Sequence, residues 1–194
     1  MDRMSRQFSH RGLTLIELMI TLVILGVTAT AVAPAMQQMV QGSRLRTETS
    51  RLLDAINLAR SEAVLRNIPV TLCPSAMAVT GVASCGDRLA DGWIVFTDRD
   101  RDQVMEAGAD EVIRVFEQVP AGYSLSNLAG TVAAGEAVTY LPDGSSRRNL
   151  SLLVCPPAGY RAEPWAVVLD TVGRARAARG EGQCAAALIC GMAG

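Results

Sequence analysis

An apolar run near the start of the chain constrains its fold most. Residues 13–33 hold a single charge, that of Glu17. About 20 predominantly apolar residues are enough to cross a bilayer as a helix. Arg3, Arg6 and Arg11 precede the run, and the positive-inside bias would keep them in the cytoplasm. The sequence therefore predicts a transmembrane helix, with everything after Pro34 on the far side of the membrane.

The composition argues against catalysis. The chain has 194 residues and a net charge of −1, and its 18 basic residues are all arginine. The only histidine, His10, lies before the apolar run. The rest of the chain therefore lacks the imidazole that most general bases, nucleophilic triads and metal sites use. We expect neither an enzyme nor a cofactor.

Residues 12–17 (GLTLIE) join the basic segment to the apolar run. An ordinary signal peptide has a shorter apolar core, followed by its cleavage site. This junction instead resembles the type III signal of type IV pilins and type II secretion pseudopilins. The resemblance implies that a prepilin peptidase cuts between Gly12 and Leu13, which removes residues 1–12 as a leader. Leu13, where phenylalanine is more usual, would then be N-methylated.

Glu17 can be interpreted in two ways, and so can the helix-breaking residues Gly26 and Pro34. Glu17 suits a capping box with Thr14, but a carboxylate in an apolar helix is costly and normally has a partner. The resemblance implies that this partner is the N-terminal amine of a neighbouring subunit during assembly. Gly26 and Pro34 can weaken the helix, although proline is common in membrane helices. The resemblance implies a segment that unwinds on assembly.

Beyond Pro34 the pattern predicts a helix to about Arg66, followed by a β-rich domain over residues 67–194. One helical stripe is apolar and needs a surface to pack on: Leu45, Leu52, Ile56, Ala59 and Ala63. Turn signals separate seven predicted strands: residues 70–73, 93–97, 112–117, 123–126, 138–141, 150–155 and 165–169. No crossover helix is visible between them. We predict an α+β fold, in which a long helix over residues 13–66 packs on an antiparallel sheet.

Two further blocks narrow the resemblance. Residues 57–64 with 69–73, and residues 92–98 (GWIVFTD), resemble minor pilins and pseudopilins of the FimT/GspH type. Five cysteines follow the apolar run: Cys73, Cys85, Cys155, Cys184 and Cys190. A compartment beyond the membrane permits disulfides, and no C-x-x-C pair or nearby histidine indicates zinc. We predict Cys73–Cys85 and Cys155–Cys184, with Cys190 unpaired or exchanging with Cys184, although other pairings remain open.

The acidic loop, residues 98–102, alternates acid and base. Asp98, Asp100 and Asp102 have the opening spacing of a calcium loop. However, Gln103 takes the place of the sharp-turn glycine, and Ala109 that of the bidentate glutamate. The intervening arginines would also repel a cation. We therefore predict an exposed hairpin loop without a metal.

Residues 143–181 carry a net positive charge, with six arginines against four acidic residues. If the strand from residue 165 continues, Arg174 and Arg176 project from one face, with Arg179 beyond them. Guanidinium groups so spaced can bind successive phosphates, with Arg147 and Arg148 as possible additions. Alternatively, arginines on an edge strand prevent aggregation. The Gly-Arg-x-Arg pattern at residues 173–176 resembles a motif of FimT-type pilins, which bind DNA in natural transformation.

Together these features predict a minor pilin of a type IV pilus that helps DNA uptake. It would wait in the inner membrane with a periplasmic domain and then join other pilins in a surface fibre. Alternatives with the same architecture are a minor pilin that primes assembly without binding DNA, and an H-type minor pseudopilin of a type II secretion system. A membrane-anchored periplasmic enzyme is disfavoured by the missing histidine.

Overall fold

A long helix and eight strands are the main elements of the structure. The computed structural model describes residues 14–129, 132–146, 148–160, 163–180, 182 and 184, and at positions 31, 34 and 35 it describes the backbone alone. Helix α1 spans Leu15–Arg66 without a break at Gly26 or Pro34. The chain divides into two compact units, Met1–Met39 and Val40–Gly194.

In the first unit, α1 exposes its apolar side chains. Every large apolar side chain between residues 15 and 27 is at least half exposed, from 50% at Leu18 to 79% at Leu15. In contrast to the span predicted over residues 13–33, none of the helices in the described ranges is long and apolar enough to cross a membrane.

The second unit holds two antiparallel four-stranded sheets. The first has the order β3-β2-β1-β5, and the second β4-β6-β7-β8. The strands are β1 Val70–Pro74, β2 Trp93–Thr97, β3 Val112–Phe116, β4 Ser124–Asn127, β5 Val138–Tyr140, β6 Leu150–Cys155, β7 Trp165–Leu169 and β8 Ala175–Arg179. A short helix α2, Met77–Thr80, and a 3₁₀ turn, Leu89–Asp91, lie between β1 and β2. All seven predicted strands are confirmed, within two residues at each end.

The second half of α1 packs on a core that both sheets share. The predicted stripe from Leu45 to Ala63 is buried throughout, with each of its five members at most 1% exposed. It meets alternate residues of both sheets, including Val95 and Tyr140 of the first and Val167 of the second. Alternation along a strand sends every second side chain to this face. The predicted α+β architecture is therefore confirmed.

A smaller apolar cluster and a disulfide lie on the other face of each sheet. Cys73 packs with Ile94 and Phe96 on the first sheet, and Cys155 packs with Leu153 and Ala166 on the second. The bonded pairs are Cys73–Cys85 and Cys155–Cys184, as predicted. Each disulfide therefore ties a neighbouring segment to the outer face of one sheet. Cys190 lies outside the described residues.

Strand β8 corrects the expected course of the chain after β7. The strand from Trp165 does not continue through the arginines, because a turn over residues 170–173 reverses it after Leu169. Within this turn Gly173 donates its N–H to the Asp170 carbonyl oxygen over 3.0 Å. The returning strand β8 then lies at the edge of the second sheet.

Candidate functional site

At the N-terminal end of α1, the structure describes one of the predicted assembly residues. Glu17 is exposed, and its backbone N–H donates to the Thr14 hydroxyl over 3.3 Å. Thr14 therefore caps the helix, as the capping-box interpretation requires of its first residue. That contact uses the backbone of Glu17 and leaves the proposed role of its carboxylate unaffected. Gly12 and Leu13 lie outside the described residues.

The predicted arginines lie on a hairpin, which we call the arginine hairpin: β7, β8 and the turn over residues 170–173. Arg174 follows the turn directly and is exposed. Its backbone N–H donates to Asp170 Oδ1 over 2.8 Å, and its carbonyl accepts from the Asp170 N–H over 3.1 Å. Asp170 therefore closes the turn from both its backbone and its side chain, which sets the position from which Arg174 projects.

Gly173 fixes this turn against the neighbouring loop. Its φ of +83° favours glycine, and a Cβ built on it would lie 2.0 Å from the Gly144 carbonyl oxygen. The fold therefore requires glycine at this position of the Gly-Arg-x-Arg pattern. Only a residue without a side chain fits both the positive φ and the close contact with the Gly144 carbonyl oxygen.

Two buried or half-buried polar side chains hold the same turn. The Tyr140 hydroxyl donates to the Gly173 carbonyl oxygen over 3.2 Å, and burial raises the pKa of Tyr140 to about 12. From α1, Arg60 donates to the carbonyl oxygens of Gly144 over 3.0 Å and Val172 over 3.4 Å. These contacts were not predicted, because they join residues 33 to 112 positions apart in the chain. They make the turn a rigid support for Arg174.

The strand register separates two of the predicted arginines. Arg176 pairs with Val168, which belongs to the outer face of the second sheet, whereas Arg179 pairs with Trp165, which packs on the shared core. Paired residues of antiparallel strands point to the same face. Arg176 and Arg179 therefore project from opposite faces, and Arg179 forms an ion pair with Glu163 at 3.0 Å.

The two possible additions differ in what can be said of them. Arg148 is exposed and pairs with Glu136 at 3.1 Å. The segment that leads to it begins beside the arginine hairpin, because Ser146 donates its N–H to the Thr171 carbonyl oxygen over 3.3 Å. Arg147 lies outside the described residues.

The acidic loop differs from the expected exposed hairpin in one residue. Asp100 and Asp102 are exposed, but Asp98 is fully buried at the end of β2. Its Oδ2 accepts from the Thr71 hydroxyl over 2.6 Å, and Thr71 in turn contacts the Thr139 hydroxyl at 2.7 Å. The alternating charges indicated a solvated loop. No local pattern predicted that its first carboxylate is buried beside threonines of β1 and β5.

Comparisons with known proteins agree with this architecture. The family model described as Type II transport protein GspH matches residues 48–173, and that of the prokaryotic N-terminal methylation motif matches residues 8–33. No curated protein matches the chain significantly.

Solved structures are similar to the chain at low sequence identity. The type IV minor pilin FimU of Pseudomonas aeruginosa superposes with a TM-score of 0.53 at 15% identity, covering 74% of this chain and 96% of that one. The minor pseudopilin EpsH from the type 2 secretion system of Vibrio cholerae has a TM-score of 0.49 at 13% identity, with 70% and 97% coverage.

Proposed function

The chain belongs to the GspH family of type II transport proteins, and from this premise we propose that it is a minor pilin of a type IV pilus that binds DNA. Its family makes it a structural pilin or pseudopilin that assembles with other pilins, and not an enzyme. The N-terminal methylation motif indicates a membrane-anchored, pilus-associated protein. Four further properties are proposed: the type of fibre, the inner-membrane topology, the processing steps and the binding of DNA.

Processing and assembly use the N-terminal end of the chain. We propose that the peptidase cuts after Gly12, that Leu13 is methylated, and that Glu17 contacts the amine of a neighbouring subunit. The exposed apolar side chains of the first unit support a buried environment in the assembled fibre, because soluble proteins rarely expose large apolar patches. Gly26 and Pro34 would let this part of the helix unwind in the fibre.

DNA binding is proposed for Arg174 and Arg176. The observation that carries it is the anchored turn, which fixes the backbone ahead of two exposed arginines. Binding costs less conformational entropy when the backbone that carries the side chains is already rigid. Guanidinium groups also suit phosphate oxygens as hydrogen-bond donors. Arg179 is assigned no DNA contact, because it projects from the opposite face and pairs with Glu163.

The expected affinity is low, and its salt dependence identifies the contacts. Two neutralised phosphates give a slope of about −1.8 in log K against log salt on duplex DNA. Raising the salt from about 50 to about 200 mM then weakens binding by about tenfold. Several subunits in one fibre would be needed to retain DNA, because linked sites bind more tightly than single ones.

The test measures fluorescence anisotropy of a labelled duplex with the full chain in detergent. The double variant Arg174→Gln/Arg176→Gln should lose at least tenfold in affinity and most of its salt slope. The matched control, Arg46→Gln/Arg99→Gln, removes two exposed arginines elsewhere and should bind within about twofold of the unchanged chain. Equal binding by the first variant would reject this site. No binding by the unchanged chain at low salt would favour a minor pilin that primes assembly without DNA.

A second candidate is a minor pseudopilin of a type II secretion system, favoured by the description of the matched family. It shares the fold and the N-terminal processing, and differs in the fibre that the protein joins. Recovery of the chain with secretion-system components, and its absence from surface fibres, would support this candidate.

A further inference from the structure

Three carboxylates of the acidic loop lie close enough to share one cation. Asp98, Asp100 and Asp102 each offer an oxygen, and these oxygens all lie within 4.8 Å of one another. Calcium binds oxygen ligands at about 2.3–2.6 Å, so two ligands on opposite sides of the ion are about 4.8 Å apart. The three oxygens are therefore close enough together to share one calcium ion.

Asp98 supplies an independent observation, because one of its oxygens is buried without a partner. The residue is fully buried, and Oδ1 has no hydrogen-bond partner among the described residues. An unpaired polar atom in the interior is costly, and more so when it carries charge. A cation held by the loop would give Oδ1 the partner that it lacks.

A chain of donors holds the other oxygen of Asp98. The Thr71 hydroxyl donates its only proton to Oδ2, so Thr139 must donate to Thr71 in the contact between the two hydroxyls. Gln103 donates to the Thr139 hydroxyl over 3.2 Å. Three donors in series thus point toward the carboxylate and favour its ionised, acceptor form. The series reaches the carboxylate only at Oδ2, so Oδ1 receives no hydrogen bond from it.

Opposing influences act on the pKa of the Asp98 carboxyl. Burial raises the pKa of the Asp98 carboxyl, and the nearby Asp102 raises it further. The Thr71 hydroxyl and the backbone amides of Arg101 and Gln103 lower it. Neither amide makes a hydrogen bond to Oδ1. A divalent cation would offset both the burial and the repulsion between the carboxylates.

The backbone also removes one objection raised by the sequence. Gln103 takes the place of the turn glycine in a calcium loop, yet it adopts the left-handed conformation itself, with a φ of +66°. Arg101 does the same at +67°. The loop therefore makes its sharp turns without glycine. Arg99 and Arg101 are exposed and can extend into solvent, whereas the carboxylate oxygens converge.

We propose that Asp98, Asp100 and Asp102 bind one calcium ion, which braces the connection between β2 and β3. Three carboxylates without the bidentate glutamate of a complete loop make the site weak, with a dissociation constant on the order of 10⁻⁴ to 10⁻³ M. Calcium sites of extracellular modules have dissociation constants in this range. Magnesium binds less well, because it demands octahedral geometry and gives up its waters reluctantly.

The test titrates calcium chloride into the full chain in detergent, after chelator treatment, by calorimetry. One ion should bind per chain, and about 10 mM calcium should raise the melting temperature by about 3 °C or more. Equal magnesium should give a smaller shift. The double variant Asp100→Asn/Asp102→Asn should bind at least tenfold more weakly. It alters two exposed residues and spares the buried Asp98, so its folding, checked by circular dichroism, should be unchanged.

The matched control is Asp54→Asn/Asp87→Asn, which removes two exposed carboxylates elsewhere and should bind calcium within about twofold of the unchanged chain. Calcium binding of unchanged strength in the loop variant would overturn the proposal. So would the absence of both heat and a melting shift in the unchanged chain at about 10 mM calcium.

Discussion

Gly173 shows how a single residue sets the geometry of the proposed DNA site. Its left-handed backbone and its contact with the Gly144 carbonyl bring the turn before Arg174 against the loop at residue 144. Tyr140 and Arg60 then bond to the carbonyl oxygens that this approach presents. The turn is thereby held in place directly ahead of the two exposed arginines.

Replacing Gly173 with alanine should therefore destabilise the protein by about 3 kcal/mol, from backbone strain and the clash at the new Cβ. Gly81 is the matched control, because it has a φ of +72° and open space around it. Gly81→Ala should cost only the strain, about 1 kcal/mol. Urea unfolding of both variants measures the difference. Equal losses would show that the contact with Gly144 contributes nothing.

At this scale, the sequence identified residues but not their surroundings. The two cysteine pairs were predicted while other pairings remained open, and Arg174 and Arg176 stand out in a short basic motif. The burial of Asp98 could not be predicted, because it depends on Thr71 and Thr139, which lie 27 and 41 positions away in the chain. Arg179 looked equivalent to its neighbours until the strand register placed it on the other face.

Among the elements, α1 has two halves with different surroundings. Its first half exposes apolar side chains, whereas its second half buries one stripe against both sheets. A buried stripe on an amphipathic helix contributes most of its stability through packing rather than through helix propensity. Shortening a buried side chain in the second half of the helix should therefore destabilise the protein as much as shortening one in a core strand.

Leu52 and Leu65 provide a matched pair on this helix, because they are 1% and 79% exposed. Leu52→Ala should lower the free energy of unfolding by about 2–5 kcal/mol, since it leaves a cavity between the helix and the sheets. Leu65→Ala should change it by less than about 0.5 kcal/mol. Thermal melts of the full chain compare them. A similar loss in both would mean that the stripe does not pack as described.

The pattern predicted seven strands, but it missed β8 and the division into two sheets. Strands rich in valine, isoleucine and leucine can be recognised in a sequence by the alternation of apolar and polar residues. Strand β8 reads Ala-Arg-Ala-Ala-Arg, which has no such alternation and no strong β-former. The turn signal at Gly173 was present in the sequence. The partition of strands between sheets depends on long-range pairing, such as β1 with β5, which local patterns do not encode.

On the scale of the whole molecule, the two compact units have separate roles in the proposed function. The first unit carries the exposed apolar side chains and Glu17, which would serve assembly. The second has its own core, two disulfides, the arginine hairpin and the acidic loop. The two activities proposed for the chain, assembly and DNA binding, therefore lie in different units.

The proposed function requires that the chain is processed after Gly12 and built into a surface pilus. Mass spectrometry of fibres sheared from cells tests it most directly. We expect the chain to be present in the fibres, with an N-terminal peptide that begins at Leu13 and carries one added methyl group. Its absence from the fibres while it is abundant in the cells, or a fibre-bound form that still begins at Met1, would contradict the account.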